Sequence, residues 1–246
     1  MNVKERAIFF RKDLIDKNID YQVVYIGNEF CCRLLPDKKT LLFALNWCRK
    51  KNCKLVLVLS FFMDQHVKPI EELLELICSE NPTSEVVIND WGMVNMLKNR
   101  YSNVKVLLGR LITSKYSRYG KYPNAFFNFI KDTNIIGLEF NTINDLLLNY
   151  SQIIQNRLHC SVYIPYSYVT ISRYCFWQNS FEGYFRNGIS GCDRKCKESV
   201  AVLKRIGRQK IFIKGNAYFV REKKWDLTDK INVDRVVDNE AVVTTG

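Results

Sequence analysis

The chemistry this chain is best equipped for is thiolate chemistry. From Tyr174 to Cys196 the sequence reads YCFWQNSFEGYFRNGISGCDRKC and carries Cys175, Cys192 and Cys196 as C-x16-C-x3-C. The stretch shows neither the helical period of 3.6 nor the alternation of a strand. A segment without a period of its own that carries soft ligands is one a metal can organise. Cys175, Cys192 and Cys196 are read as three ligands of an iron–sulfur cluster. The fourth has to come from elsewhere, and Cys31 in the Cys31-Cys32 pair is the best candidate. Four thiolates suit zinc as well, but a zinc ribbon brings two close CxxC pairs and this chain has none. Cys32 remains an alternative fourth ligand, because adjacent residues point in different directions and one of the pair ligates rather than both. Cys48, Cys53, Cys78 and Cys160 fall on helix faces or at strand starts, where a thiol packs as a small apolar group.

Other polar candidates stand at the ends of apolar runs. Asn89-Asp90 follows EVVI, Arg110 follows VKVLLG, and Glu139 closes IIGLE. Arg110 could bind a carboxylate and Glu139 could act as an acid or base; the equal alternative is an ion pair inside the fold. Asp90 is either a catalytic carboxylate or a helix cap. Trp177, Phe181, Tyr184 and Phe185 are expected to pack over the cysteine loop, with a stacking platform for a nucleobase as the minor alternative. The two histidines, His66 and His159, are too few for a histidine-rich metal site or a Ser-His-Asp triad. There is no P-loop, GxGxxG or HExxH motif.

The elements that must position these residues alternate. Apolar, β-branched runs at 21–26, 55–59, 85–88, 104–108, 135–140, 161–164, 210–214 and 233–237 read as strands. Amphipathic helices are expected after Pro36, after Pro69, over 91–101, over 126–130 and after Thr142. Residues 4–17 read as a short N-terminal helix, and the irregular stretch that follows Gly109-Arg110 as far as Tyr122, with its basic, aromatic run SKYSRYGKY, as an exposed loop. Repeated strand–helix order predicts a parallel sheet with helices outside. Eight such strands predict a TIM-like (β/α)8 barrel over 1–246, distorted or incomplete near the C-terminus, with the cysteine-bearing loop at about 174–198. In that barrel Cys31, Asp90, Arg110, Glu139 and the Cys175 loop would share one mouth.

Bulk properties narrow the class. The chain has 246 residues, 47% of them hydrophobic, which is ample for one buried core and excludes a disordered chain. No apolar run reaches the length of a membrane span, and the charged N-terminus does not read as a secretory signal. Nine cysteines at irregular spacing argue against a disulfide framework, so a cytoplasmic location is expected. The net charge of +12 fits a solvated lysine-rich surface, with an anionic substrate or RNA as the functional alternative. The nearest thing to a basic patch spans Lys195, Lys197, Lys204, Arg205, Arg208 and Lys210.

The segments VYIGNEFC, VVINDWGMVNML, VKVLLGRLI, YCFWQ…GCDRKC and IFIKGNAYFV follow one another in an order and spacing that resemble the collagenase-like (PrtC-type) peptidase family, over about 21–237. The resemblance is nearest to the UbiV branch of oxygen-independent hydroxylation factors. It implies a TIM-like barrel and a [4Fe–4S] cluster held, residue by residue, by Cys31, Cys175, Cys192 and Cys196. It also implies a UbiU-like second family member as heterodimer partner, and hydroxylation of a small molecule or RNA with an organic oxygen donor. A non-catalytic subunit stabilised by its cluster, and a true peptidase, are the alternatives. The spacing from Cys175 to Cys192 is longer than in that branch, and the branch's substrate does not carry over to so lysine- and asparagine-rich a chain.

Overall fold

The computed structural model describes residues 2–15, 17, 19–117, 120–172, 175–177, 192, 194–204, 209–222 and 231–244. Eight parallel strands close into a barrel. They are β1 (Asn2–Phe9), β2 (Val23–Gly27), β3 (Lys54–Leu59), β4 (Glu85–Ile88), β5 (Lys105–Leu108), β6 (Ile135–Phe140), β7 (His159–Ile164) and β12 (Asn232–Asp238), with β1 lying between β12 and β2. Helices α1 (Lys38–Lys51), α2 (Val67–Glu80), α3 (Trp91–Arg100), α4 (Arg110–Ser117), α5 (Asn124–Lys131) and α6 (Ile143–Gln155) alternate with the strands, and a short α7 (Glu240–Thr244) ends the described chain. The architecture is a TIM-like (β/α)8 barrel.

Both faces of these strands are covered, so they read as continuous apolar runs. Alternate residues separate into two cores. Ala7, Phe9, Val23, Tyr25, Val56, Val58, Val87, Leu107, Tyr163 and Val237 fill the barrel. Their neighbours Val24, Leu57, Val86, Val106, Leu138 and Val162 pack beneath the helices with Leu41, Leu73, Val94 and Leu146. Helix starts are fixed by side-chain oxygens: Asp37 accepts from Thr40 N, Asp90 from Gly92 N, and Thr142 from Asp145 N.

Three expectations are corrected. The N-terminal segment is a strand over Asn2–Phe9, not a helix. Its inward positions are Glu5, Ala7 and Phe9, and Glu5 is inward because Arg235, its register partner on the neighbouring β12, binds it, Nε to Oε2 at 3.0 Å. The run Lys210–Lys214 is a strand, but outside the barrel. With Tyr166–Ile171 (β8), Ala201–Lys204 (β9) and Ala217–Arg221 (β11) it forms, as β10, an antiparallel sheet in the order β8-β11-β10-β9, inserted between β7 and β12. The stretch after Gly109 is helical over Arg110–Ser117. Asn89 Oδ1 accepts from Leu111 N at 3.0 Å at its start, and Tyr116 and Tyr122 each pack on Phe126 with centroids 4.9 Å apart. Tyr122 is buried rather than exposed.

The inserted sheet is held to the barrel by two asparagines acting as surrogate strand partners. Asn141 accepts from Tyr168 N at 2.7 Å and donates to Tyr168 O at 2.8 Å. Asn239 does the same for Tyr166, at 3.0 and 2.8 Å. Both asparagines follow the C-terminal ends of barrel strands, so the sheet stands at the mouth where sites gather in this fold.

Candidate functional site

The loop after β2 starts at Gly27, where φ is +125° and an added Cβ would overlap Val58 O; only glycine serves there. Asn28 Oδ1 then accepts from Phe30 N at 2.9 Å and Cys31 N at 2.8 Å, tightening the turn that presents Cys31. Cys175 lies just past β8. Cys192 and Cys196 precede β9, with Cys196 buried in a one-turn 3-10 helix, Lys195–Lys197. The tip of the β10–β11 hairpin joins these segments. Asn216 Nδ2 donates to Phe30 O at 2.8 Å and to Ser172 O at 3.2 Å, and Asn216 O accepts from Ser172 N at 2.8 Å. Gly215 O accepts from Phe176 N at 3.3 Å, and Gly215, at φ +63°, lies beside the Cys196 side chain.

The fold therefore brings Cys31, Cys175, Cys192 and Cys196 within electrostatic reach of one another. The Cys175 side chain shares a hydrogen bond with Cys196, which, with burial and the nearby Cys31 and Cys192, pushes the Cys196 thiol far up. Burial pushes Cys31 up to about 11, and Cys32, Cys192 and Cys175 add to the rise. Four thiolates with no cation between them would repel one another in a half-buried site. Among the described residues no three His, Cys, Asp or Glu side chains form a group that could hold one metal ion. A cubane cluster sets a different demand, since each thiolate binds a separate iron. Lys214 Nζ donates to Lys197 O at 3.0 Å, in the same turn as Cys196, and that thiol feels the lysine's charge.

Cys32 also lies within electrostatic reach of Cys31 and Cys192, and it has a further partner. Its Sγ lies 3.5 Å from Nε2 of His66, in the loop after β3. His66 Nδ1 is buried without a hydrogen-bond partner, and burial raises the Cys32 thiol.

Below the cysteines, paired charges are buried beside the barrel's apolar core. Arg110 grips Glu29 with both ends of its guanidinium, Nε to Oε1 at 3.0 Å and Nη2 to Oε2 at 2.5 Å, and both residues are only 2% exposed. The guanidinium carbon sits 3.7 Å from the Tyr163 ring centroid. The ion pair expected inside the barrel is thus real, but Arg110 pairs with Glu29 rather than Glu139. Glu139 is fully buried and accepts from Tyr25 Oη at 2.7 Å and Tyr163 Oη at 2.5 Å. Burial and the charge of Glu29 push its carboxyl up to about 7, against the pull of the two tyrosines. Arg235 lies deeper, bound to Glu5, Glu85 and Tyr25. Asp90 caps α3, while its neighbour Asn89 is buried and donates to Leu59 O at 3.0 Å.

Comparison with known proteins bears on the architecture. A solved structure described as a U32 peptidase superposes with a TM-score of 0.53 at 12% identity, over 97% of this chain and 93% of that one. In fold the chain is similar to that U32 peptidase. At such identity the likeness concerns the fold alone. No family model and no curated protein matches the chain. Among the described residues no helix is long and apolar enough to cross a membrane.

Several residues of this mouth are invisible to motif reading. Glu29 sits inside GNEFC next to a predicted ligand, and an acidic residue at a strand end is the natural partner to seek for Arg110. His66 follows β3 as Cys31 follows β2, so the same strand-end rule reaches it. Nothing in the sequence marks Asn216 or Lys214. Of the aromatic set, Trp177 packs edge-on against Phe176 with centroids 5.5 Å apart; Phe181, Tyr184 and Phe185 lie outside the described residues, as do Arg205 and Arg208 of the basic patch.

Proposed function

We propose that Cys31, Cys175, Cys192 and Cys196 hold a [4Fe–4S] cluster at the barrel mouth, and that the chain serves an oxygen-independent hydroxylation or related modification together with a UbiU-like partner. The observation that carries this is the gathering of four thiols from three separate chain segments, two of them joined by Asn216 and the third beside Gly215. The donor set fits: four cysteines, soft ligands, half-buried, with the positive charge of Lys214 alongside. Bound there, a cluster would supply one-electron chemistry, with a potential set by burial, hydrogen bonds and nearby charge. The protein's own part is to exclude water with Phe30 and its aromatic neighbours Tyr168 and Phe219, at 5.4 and 5.3 Å, and to hold the thiols in place. A non-catalytic, cluster-stabilised subunit is the narrower form of the same reading. The substrate is a small molecule or RNA, which the positive net charge favours in anionic form. The reading places the chain in the cytoplasm, where thiols stay reduced.

The test is iron and acid-labile sulfide on protein purified without oxygen, with visible and EPR spectra. The reading expects about four of each per chain and an absorbance that bleaches on reduction. Cys31→Ala, Cys175→Ala and Cys192→Ala should each lose the cluster, whereas Cys32→Ala keeps it. Zinc without sulfide would make the site a structural thiolate centre, and no metal after anaerobic reconstitution would end the proposal.

A peptidase is the second reading, favoured by the Cys32–His66 contact and the U32 fold. A thiol nucleophile needs a base held by a third group and a depressed thiol. Burial instead raises Cys32, and His66 Nδ1 has no partner. Gelatin hydrolysis by wild-type protein, abolished in Cys32→Ala, would reverse the preference.

A further inference from the structure

The face of the barrel opposite the cysteine mouth carries a second pair of thiols, and their meeting is dictated by how α1 ends. Asn52 takes the left-handed conformation at φ 54°, its N–H bonds back to Arg49 O, and Cys53 N donates to Cys48 O at 3.0 Å. This is a Schellman end, which brings the third residue before the cap against the second after it. In most helices that contact is between two apolar side chains. Here it joins two thiols: Cys53 Sγ donates to Cys48 O at 3.6 Å, which sets the two side chains against each other.

The pair also has access. It lines a cavity of about 390 Å³ together with Arg49, Lys54, Ser84 and Lys105. Cys48 is buried and Cys53 half-buried. We infer that Cys48 and Cys53 form a reversible dithiol–disulfide site, oxidised by hydrogen peroxide entering this cavity.

The roles are asymmetric. Cys48 is buried, whereas Cys53 is half-buried and feels the charge of Lys51. Cys53 is therefore the attacking thiolate and Cys48 the resolving thiol. Cys53 sulfur takes the terminal oxygen of the peroxide as the O–O bond breaks, giving a sulfenic acid and hydroxide. Cys48 sulfur then attacks Cys53 sulfur, the S–O bond breaks, and water leaves with the Cys48 proton. Two thiols lose two electrons in all, and the peroxide is reduced to two waters. The site shares no residue with the cluster ligands and stands whether or not a cluster binds.

The sequence makes the test direct. Arg49, Lys50 and Lys51 lie between the two cysteines, so trypsin separates them into peptides 40–49 and 52–54. Wild-type protein purified without oxygen would be treated with hydrogen peroxide, alkylated and digested. The expected product is these two peptides joined, two hydrogens lighter than their sum, and separate again after reduction. In Cys48→Ser, dimedone should trap a sulfenic acid on Cys53. Recovery of both peptides fully alkylated from wild-type protein, at a peroxide dose that oxidises other thiols of the chain, would overturn the inference. So would a Cys53 disulfide to any cysteine other than Cys48. The wild-type digest decides the matter even if the Cys48 variant fails to fold.

Discussion

Asn216 Nδ2 donates to Phe30 O at 2.8 Å, joining positions 186 apart in the chain. The bond links the hairpin of the inserted sheet to the residue before Cys31, and the same amide reaches Ser172 O ahead of Cys175. One side chain thereby sets the distance between two cysteine loops. Asn216→Ala should cost about 1–3 kcal/mol, the usual penalty for leaving buried carbonyls unpaired. It should also lower iron and sulfide content while every cysteine is intact. Asn216→Asp, which loses the two donors but keeps the shape, should resemble Ala. Full cluster content in both variants would remove Asn216 from the site.

Lys214 tests the electrostatic side of the same proposal. Its ammonium is half-buried and within reach of the Cys196 sulfur, so it favours the more negative, reduced state of a cluster held there. Lys214→Met should keep iron and sulfide near the wild-type amount and lower the midpoint potential in a spectroelectrochemical titration. Lys214→Arg should restore most of the shift. An unchanged potential in Lys214→Met would show that the lysine serves only to bind Lys197 O.

The barrel was readable from the sequence wherever both strand faces are apolar. The runs VVYI, LVLVL, EVVI and IIGLEF admit little else, and the helices between them carry clear apolar stripes. Reading failed where polar residues point inward. Glu5 looks solvent-exposed until Arg235, 230 positions away, turns it into a barrel residue and its segment into a strand. The run KIFIK has the same composition whether it pairs in a parallel barrel or an antiparallel hairpin, so sequence placed it in the wrong sheet. The cysteines stood out by residue type alone, because few roles suit a thiol in a loop. Asn216, which links two of their loops, and Glu29 and His66 nearby are ordinary polar residues, and only long-range folding gives them their partners.

The Arg110–Glu29 pair makes a stability prediction with two arms. Glu29→Ala strands a guanidinium that is 2% exposed, and breaking such a pair should cost about 3–5 kcal/mol. The double variant Arg110→Met with Glu29→Leu removes both charges and should recover most of that loss, since buried pairs exchange for apolar side chains at little cost. Urea midpoints of the three proteins decide it. If the double variant is as unstable as Glu29→Ala, the pair is held for the bond from Arg110 Nη1 to Tyr166 O of the inserted sheet, at 3.5 Å, rather than its charge balance.

Glu139 predicts how stability changes with pH. Its folded pKa, about 7, is raised above the 4.5 of an exposed glutamate, first by burial and then by Glu29. The folded protein therefore binds the proton more tightly than the unfolded chain does. The stabilising contribution of protonated Glu139 is fully present below pH 4.5, falls as pH rises from there, and is gone above 7. The interval corresponds to roughly 3 kcal/mol. Glu139→Gln keeps a neutral group between Tyr25 and Tyr163 and carries no such proton. Its unfolding free energy, measured against wild type by urea titration from pH 4.5 to 8, should gain on the wild type as pH rises and hold a constant lead above pH 7. Parallel curves across the whole range would mean that Glu139 stays ionised in the fold, with Arg110 and Arg235 supplying the balancing charge.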